Sequence, residues 1–267
     1  MKKDLRFKAI ILKKKVFLFD LDGTLYLGKR VLPGAKDLIS LLRAQGKQVF
    51  FFTNNSSKSK VDYWKKLKKM GLAESQDEII LSTEVMGRYL REKKIRRAFV
   101  LGTSAMKRML KLDGVSHDRK NPQAVVVGYD RSLTFEKLKE AAFWISKKKP
   151  FLVTHPDFFC PTENGPEPDC GAFAWALALT TKRDPDLILG KPHLRMIQEV
   201  YRRVKLKKSD IILVGDRLQT DIAMAQNAGI SSILVLSGDS QKTDLRQTKV
   251  RPTYIVKDVG LLTSYLL

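Results

Sequence analysis

The chain has 267 residues, of which 43% are hydrophobic and 29% charged, so it can bury the core of one large domain or of two smaller ones. No apolar stretch is long enough to cross a bilayer, and the two cysteines, which lack Cys-x-x-Cys spacing, predict a reducing, cytoplasmic environment without a disulfide framework. The net charge of +22 could attract nucleic acid, but the basic residues are spread along the chain without a zinc-finger, helix-turn-helix or RNA-recognition signature. We therefore expect a charged, solvated surface, and neither a specific nucleic-acid partner nor a membrane.

The first predicted strand, residues 16–19, is an apolar run that ends at Asp20 and Asp22. An unbroken apolar run predicts a strand buried on both faces of a parallel sheet, and Gly23 with Thr24 predicts the turn that follows. Two carboxylates on the same side of the backbone repel each other unless a cation or a proton lies between them. Taken alone, the pattern also fits a polar strand end with a turn glycine. The basic stretch before this strand is expected to be a surface helix or an arm without a catalytic role.

A second strand, predicted at residues 48–52, also ends in polar residues, Thr53, Asn54 and Asn55, and a helix is predicted at 58–70. The Thr53 hydroxyl and the amides at the start of that helix can bind an anion, because a helix N-terminus favours negative charge. The serines that follow could simply cap the helix. Capping and anion binding are compatible.

The pattern changes in the middle of the chain, where we expect three strands, at residues 99–102, 124–129 and 151–154, with helices between them. They predict a second α/β layer with its own small core. A long loop rich in proline and glycine follows, and loops of that length are usually functional or disordered. His155 at its start, like His193 later, has no second ligand at metal spacing, so both histidines are expected to pack or to cap.

The first architecture is predicted to resume with strands at residues 187–190 and 211–214, which deliver Lys191 and Asp216, and later strands complete the same sheet. Asp221 lies near the start of the next helix. Because the carboxyl ends of parallel strands meet at one edge of a sheet, these side chains are expected to lie near the earlier carboxylates. Carboxylate oxygens are the ligands that Mg²⁺ prefers, and a lysine can neutralise phosphate oxygens, so the set predicts phosphoryl transfer.

Four motifs follow one another in the order Asp20-x-Asp22-Gly23-Thr24, FFTNNS with Thr53, GKP with Lys191, and GDRLQTD with Asp216 and Asp221. In this order the chain resembles the haloacid dehalogenase superfamily of phosphohydrolases over nearly its whole length. GDRLQTD, TNNS and the insertion between the second and third motifs are most similar to subfamily IIA, the NagD-like, p-nitrophenylphosphatase-type branch. The resemblance implies an α/β fold with a Rossmann-like, doubly wound parallel sheet as core domain, residues 1–84 and 185–267. It also implies an inserted α/β cap domain of the C2 type, residues 85–184.

The resemblance further implies a role for each core residue. Asp20 would attack phosphorus and form an aspartyl-phosphate, and Asp22 would protonate the leaving oxygen and then activate the hydrolytic water. Mg²⁺ would be bound by Asp20, by Asp216 and by the backbone carbonyl of Asp22. Asp221 would hold a water on the metal, and Lys191 would offset the charge of the nucleophile and the phosphoryl group.

By the same resemblance, Thr53 and the amides after it would bind phosphate oxygens, and Asn54 and Asn55 would complete the substrate-binding segment. The cap would cover the site and exclude all water except the one that hydrolyses the intermediate. This branch sets its specificity largely from the cap, so the loop at residues 155–161 is the candidate, and Asp157 and Cys160 are the first side chains to test. Cys160 as a small buried filler is the competing interpretation.

These observations predict a Mg²⁺-dependent phosphatase of small phosphomonoesters such as sugar phosphates, nucleoside monophosphates and p-nitrophenyl phosphate, acting as a monomer or homodimer. A phosphotransferase or a phosphatase of nucleic-acid ends is the alternative, supported only by the positive charge. A non-catalytic phosphate-binding protein is another, since receiver-like domains also use strand-end aspartates, although they have no cap and do not need GDRLQTD. A P-loop kinase is excluded, because no Gly-x-x-x-x-Gly-Lys-Ser/Thr occurs.

Overall fold

The computed structural model describes residues 2–162 and 164–267. The strands are β1 (Val16–Asp20), β2 (Tyr26–Leu27), β3 (Arg30–Val31), β4 (Gln48–Thr53), β5 (Ile79–Leu81), β6 (Arg97–Leu101), β7 (Ser116–His117), β8 (Ala124–Val127), β9 (Phe151–Val153), β10 (Phe159–Thr162), β11 (Gly165–Pro168), β12 (Leu187–Ile188), β13 (Ile211–Gly215), β14 (Ser231–Val235) and β15 (Tyr254–Val256). The helices are α1 (Lys2–Leu12), α2 (Ala35–Ala44), α3 (Lys60–Lys69), α4 (Ser82–Glu92), α5 (Ser104–Leu112), α6 (Phe135–Ser146), α7 (Cys170–Thr181), α8 (Arg195–Arg203), α9 (Ala223–Ala228) and α10 (Gly260–Leu266). Among these helices, none is both long enough and apolar enough to span a membrane.

The described residues form two compact units. The first, which we call the core unit, comprises residues 2–53, 64–80 and 197–267. The second, which we call the inserted unit, comprises residues 54–63 and 81–196. Each is built around its own parallel sheet, as the sequence pattern predicts for an α/β chain with an α/β insertion.

The sheet of the core unit has the strand order β15-β14-β13-β1-β4-β5. Strand β1 lies in the middle, parallel to β13 on one side and to β4 on the other, with Val16 opposite Ile211 and Gln48. All five residues of β1 are buried, as expected for the central strand of a parallel sheet covered on both faces. The ends of β1, β4 and β13 therefore lie side by side, which brings together the residues that follow them.

Helix α2 shows how local sequence specifies an element of the core unit. Its buried side chains, Ala35, Leu38, Ile39 and Leu42, recur at three- and four-residue spacing, so one face of the helix is apolar. The helix begins after a Pro-Gly pair and ends shortly before Gly46, the start and stop signals that the sequence provides.

The sheet of the inserted unit has the order β12-β9-β8-β6-β7, and neighbouring strands pair in parallel. Helices α6 and α7 pack with its central strands in a core that includes Leu101, Val127, Ile145 and Phe173. A two-stranded antiparallel hairpin, β10–β11, precedes α7. The three middle strands and the helices between them are confirmed, within a few residues of their predicted bounds.

The predicted return of residues 187–190 to the first sheet is wrong. Strand β12 instead extends the inserted unit's sheet, with Leu187 opposite Leu152 of β9. Asp186 is responsible in part, because its backbone N–H donates to Phe151 O at 2.9 Å and its carboxylate accepts from Phe151 N at 2.7 Å. An apolar run this short carries no information about which of two parallel sheets it joins.

The basic stretch at the N-terminus forms helix α1, one of its two predicted forms, and this helix packs against the core unit. Phe7 is 5% exposed, and its ring centroid lies 4.1 Å from that of Tyr254 and 4.7 Å from that of Tyr265. Ile11, one turn later, is fully buried. Spacing of four residues places both side chains on one helix face, so α1 contributes an apolar stripe to the core.

Replacing Phe7 with alanine is expected to lower the free energy of unfolding by about 3 kcal/mol, because it removes a buried aromatic side chain and leaves a cavity. Leu5→Ala, at a position that is 66% exposed on the same helix, is the matched control and should cost less than about 0.5 kcal/mol. Urea unfolding of both variants would measure the difference. Equal stability of the two would show that α1 does not support the core.

Strand β7 carries a histidine that is neutral in the folded protein. The Val100 amide donates to Nδ1 of His117 at 3.0 Å, which requires that nitrogen to be unprotonated. Burial, together with the positive charges of Lys107 and Arg119, lowers the pKa of His117 to about 4.

Acidification from pH 6.5 to pH 4 is therefore expected to destabilise the protein through His117. The unfolded chain binds a proton at the ordinary histidine pKa of about 6.5 while the folded chain does not, so unfolding takes up a proton and becomes more favourable as the pH falls. His117→Asn keeps an acceptor for the Val100 amide but does not titrate. Its urea midpoint should fall less than that of the wild type over this range, and equal falls would contradict the assignment.

Candidate functional site

Three buried carboxylates meet at the carboxyl edge of the core unit's sheet. Asp20 is the last residue of β1, Asp216 directly follows β13, and Asp221 lies in a π-helical turn at Leu218–Ile222. Each offers an oxygen within 4.8 Å of the others, and all three are at most 9% exposed. The sheet order explains the cluster, because β1 and β13 are neighbours.

The carboxylates of this cluster oppose one another electrostatically. The pKa of Asp216 is raised well above its ordinary value, first by burial and then by the negative charges of Asp20 and Asp221. Such a group of hard oxygen donors suits a divalent cation, which would remove the repulsion. The donor set therefore fits Mg²⁺ on chemical grounds.

Asp216 is held in place from three directions. The Thr24 hydroxyl donates to its Oδ1 at 3.1 Å, and the Asp239 amide donates to its Oδ2 at 2.8 Å. Gly23 allows the turn after β1 to approach it, since a Cβ at Gly23 would lie 2.5 Å from Asp216 Oδ2. Gly23 also has a φ of +87°, a conformation that residues with side chains rarely adopt. Gly23 and Thr24, in the turn after β1, thus help to position the carboxylate of Asp216, which is distant in sequence.

Asp22 has different surroundings from the three clustered carboxylates. Its Oδ2 accepts a hydrogen bond from the Tyr26 hydroxyl at 3.1 Å, and it is only partly buried. Tyr26 is fully buried, with the Lys66 ammonium 3.6 Å from its ring centroid. An oriented, partly exposed carboxyl is the arrangement that proton transfer to and from a substrate requires.

Thr53 lies at the end of β4, beside β1, and is 5% exposed. In the sheet register Asp20 pairs with Phe52, so the Thr53 position directly follows the partner of the predicted nucleophile. Asp221 is fixed by the Arg217 amide, which donates to its Oδ2 at 3.1 Å. The structure thus gathers the predicted site residues of the core unit at one sheet edge.

The remaining predicted residues belong to the inserted unit, where they form a second group. The side-chain amide of Asn54 accepts from Lys191 N at 2.7 Å and donates to Lys191 O at 3.1 Å. The same amide nitrogen lies 3.4 Å from Oδ1 of Asp157. Three predicted residues that are far apart in sequence therefore contact one another through a single side chain.

Asn55 and Cys160 form a weaker pair in the same unit. Asn55 Oδ1 accepts from the Ser57 amide at 3.0 Å and from its hydroxyl at 2.7 Å, a local turn before α3. Its amide nitrogen lies 3.9 Å from the Cys160 sulfur. Cys160, in β10, is half-buried and packs against the hydrophobic core of the inserted unit, which agrees in part with the competing interpretation as a small buried filler.

His155 is the residue that sequence reasoning undervalued. It is fully buried, with Nδ1 3.4 Å from Asp157 Oδ2 and Nε2 3.5 Å from Asp169 Oδ1. The His-Pro-Asp sequence indicates the contact between His155 and Asp157. The contact with Asp169 has no such local signal, because the β10–β11 hairpin places Asp169 beside His155. His193, by contrast, has the predicted local role, because its Nδ1 accepts from the Arg195 amide at 3.1 Å at the start of α8.

Comparisons with known proteins agree on one family. A model described as haloacid dehalogenase-like hydrolase matches residues 17–116, and a second, described as HAD-hydrolase-like, matches residues 188–262. An acid sugar phosphatase from Staphylococcus haemolyticus is 33% identical, over 94% of this chain and 96% of that protein. The crystal structure of a 4-nitrophenylphosphatase from Thermotoga maritima is 37% identical with a TM-score of 0.92, over 97% of this chain and 99% of that one. The crystal structure of a glycerol phosphate phosphatase from Mycobacterium tuberculosis, in complex with magnesium, is 30% identical with a TM-score of 0.87. The match covers 96% of this chain and 77% of that one.

Proposed function

Because this chain belongs to the haloacid dehalogenase-like hydrolases, in the NagD-like, p-nitrophenylphosphatase-type branch, we propose that it hydrolyses small phosphomonoesters with Mg²⁺. The observation that carries the proposal is the buried cluster of Asp20, Asp216 and Asp221. Burial and the charges of its neighbours raise the pKa of Asp216, and a bound cation would keep carboxylates this close together ionised. The magnesium in the mycobacterial phosphatase structure supports the choice of metal.

Asp20 would carry the covalent step. Its carboxylate oxygen attacks phosphorus, the bond from phosphorus to the leaving oxygen breaks, and an aspartyl-phosphate forms. Asp22 gives a proton to the leaving oxygen and then takes one from the water that attacks phosphorus in the intermediate. The bond between phosphorus and the Asp20 oxygen breaks, inorganic phosphate leaves, and both carboxyl groups return to their starting states. The Tyr26 hydroxyl, bonded to Asp22, holds this acid and base in one orientation.

The other residues would bind charge. The proposed Mg²⁺ ligands are Asp20, Asp216 and the backbone carbonyl of Asp22. Asp221 would hold a water on the metal. When bound, the cation supplies Lewis-acid stabilisation of the phosphoryl oxygens. Thr53 would bind a phosphoryl oxygen through its hydroxyl.

Lys191 would offset negative charge on the phosphoryl group as a compact cation. We further propose that the chain has a core domain and a cap domain, and that the cap domain selects the substrate. The second boundary between them lies beyond the predicted residue 184, because β12 pairs with β9 and the inserted unit extends to residue 196. Asp157 and Cys160 are the cap side chains that we expect to influence this choice. The substrate class is then a sugar phosphate, a nucleoside monophosphate or a similar small ester, in keeping with the sugar, glycerol and nitrophenyl phosphatases among the relatives. We expect a cytoplasmic monomer or homodimer.

Phosphate release from a panel of esters tests the proposal. The panel contains sugar phosphates, nucleoside monophosphates, glycerol phosphate and p-nitrophenyl phosphate, each with Mg²⁺ and with a chelator. We expect release that requires Mg²⁺ and differs among the esters. Faster release from phosphorylated oligonucleotide ends, with a steep dependence on salt, would favour the nucleic-acid alternative, and phosphoryl transfer to an added alcohol without net hydrolysis would favour a phosphotransferase. Tight phosphate binding without turnover would indicate a binding protein.

A further inference from the structure

The inserted unit contains an arrangement around Asn54 that substrate binding alone does not explain. The Asn54 amide and the Lys191 peptide form two hydrogen bonds, one in each direction, at 2.7 and 3.1 Å. Both residues are nearly inaccessible, with 4% and 3% of their surface exposed. Because the Lys191 N–H can only donate, the oxygen of the Asn54 amide must face it, so the orientation of this side chain is fixed by its partners.

The backbone around Lys191 is shaped to receive this side chain. Gly190 has a φ of +75°, and a Cβ there would lie 2.7 Å from Thr154 O and 2.8 Å from Asn54 Oδ1. A side chain at position 190 would thus collide with a carbonyl that cannot move easily and with the Asn54 amide. The Asn54 backbone carbonyl is itself anchored by the Ser82 hydroxyl, which donates to it.

The second N–H of the Asn54 side-chain amide faces the loop after β9. Asn54 Nδ2 lies 3.4 Å from Asp157 Oδ1, and the other Asp157 oxygen lies 3.4 Å from Nδ1 of His155. The far side of the His155 ring faces Asp169 Oδ1 at 3.5 Å. The Asp157 carboxylate is therefore bracketed by a side-chain amide and a buried imidazole.

Both donors of the Asn54 side-chain amide are committed to these partners. A side-chain amide has two N–H donors, and here they serve Lys191 O and Asp157 Oδ1, while its oxygen serves Lys191 N. A substrate could bind this amide through nitrogen only by displacing one of them. The geometry therefore fits a residue that places others better than one that binds the ester.

We propose that Asn54 is a positioning residue, whose side chain holds the Lys191 peptide and the Asp157 carboxylate in register and does not itself bind the substrate. The inference rests on the proposed function of Lys191 in phosphate hydrolysis. It makes Asn54 the link between a residue of the chemical step and a residue of the cap loop.

A double-mutant cycle tests this assignment in the full-length protein with saturating Mg²⁺. Asn54→Ala is expected to lower kcat by about 10- to 100-fold for every ester of the panel, with KM changed by less than about threefold. In a Lys191→Met background, the same substitution should cost less than about threefold, because the residue that it positions is already gone. Equal losses in both backgrounds, or a rise in KM that differs among the esters, would show that Asn54 binds the substrate and would overturn the proposal.

Amide hydrogen exchange provides a readout that does not depend on turnover. The Lys191 N–H should exchange at least about tenfold faster in Asn54→Ala than in the wild type, because its acceptor is lost. Asn121→Ala removes the same side chain from an exposed loop of the inserted unit and should leave this exchange unchanged. An unchanged Lys191 amide in Asn54→Ala would overturn the proposal.

The role of Lys191 in turnover and the role of Asn54 in positioning can fail separately. If Lys191→Met has the same kcat as the wild type, the proposed function of Lys191 fails. Faster exchange of the Lys191 amide in Asn54→Ala would still show that Asn54 holds this peptide. If Asn54→Ala does not fold, Asn54→Asp serves instead. It keeps an acceptor for Lys191 N but loses both donors, so the Lys191 amide should stay protected while kcat falls. Fast exchange in Asn54→Asp would contradict the assigned orientation.

Discussion

Asp20→Asn is expected to lower kcat by at least about 10³-fold for every ester while leaving the protein folded. The amide that replaces the carboxylate cannot form an aspartyl-phosphate, and it is a poor ligand for Mg²⁺. Asp20 also contributes to the raised pKa of Asp216, so its neutralisation relieves repulsion in the cluster. We therefore expect the thermal midpoint of the metal-free variant to equal or exceed that of the wild type.

Asp37→Asn is the matched control for this substitution, since it makes the same change at an exposed position in the first turn of α2. Its kcat should stay within about twofold of the wild type. Both variants would be assayed with p-nitrophenyl phosphate and with the best natural ester of the panel. Activity of Asp20→Asn within tenfold of the wild type would rule out Asp20 as the nucleophile.

Removal of Mg²⁺ is expected to abolish turnover and to destabilise the wild type. Binding at about 100 times the dissociation constant adds about 2.7 kcal/mol, which corresponds to a rise of roughly 5–10 °C in the thermal midpoint for a chain of this size. The gain arises because the cation replaces repulsion among Asp20, Asp216 and Asp221 with attraction. Differential scanning calorimetry with and without Mg²⁺ measures it.

Asp216→Asn should remove most of this magnesium-dependent stabilisation together with the activity. Without metal the variant should be at least as stable as the wild type, because a carboxyl whose pKa is raised by burial and by two negative neighbours becomes a neutral amide. Asp37→Asn again provides the control and should retain the full rise. A rise in Asp216→Asn as large as in the wild type would place the metal elsewhere.

The core of the site could be predicted because its signals are local. The apolar run of β1 and the carboxylates that end it are adjacent in sequence, and the same is true of β13 and Asp216. Once both strands are assigned to one parallel sheet, the rule for strand ends brings their aspartates together. No long-range information beyond sheet membership was required.

The inserted unit was less predictable because its site residues meet through contacts that leave no local pattern. The amide of Asn54 contacts a peptide 137 residues away, and Asp169 reaches His155 only because a hairpin folds back between them. Strand β12 was assigned to the wrong sheet for the same reason, since its pairing with β9 depends on tertiary structure. In helix α1 the spacing of Phe7 and Ile11 does indicate a buried apolar face, but the many lysines around them favoured the interpretation of a surface helix or arm.

Detection of the covalent intermediate would identify the nucleophile. Wild-type protein is mixed with excess p-nitrophenyl phosphate and Mg²⁺, quenched in acid within milliseconds, digested and examined by mass spectrometry. We expect the mass of one phosphoryl group on the peptide that contains Asp20, lost on further incubation and absent from Asp20→Asn. Steady turnover with an unmodified Asp20 peptide, or with the phosphoryl group on another residue, would show that Asp20 is not the nucleophile.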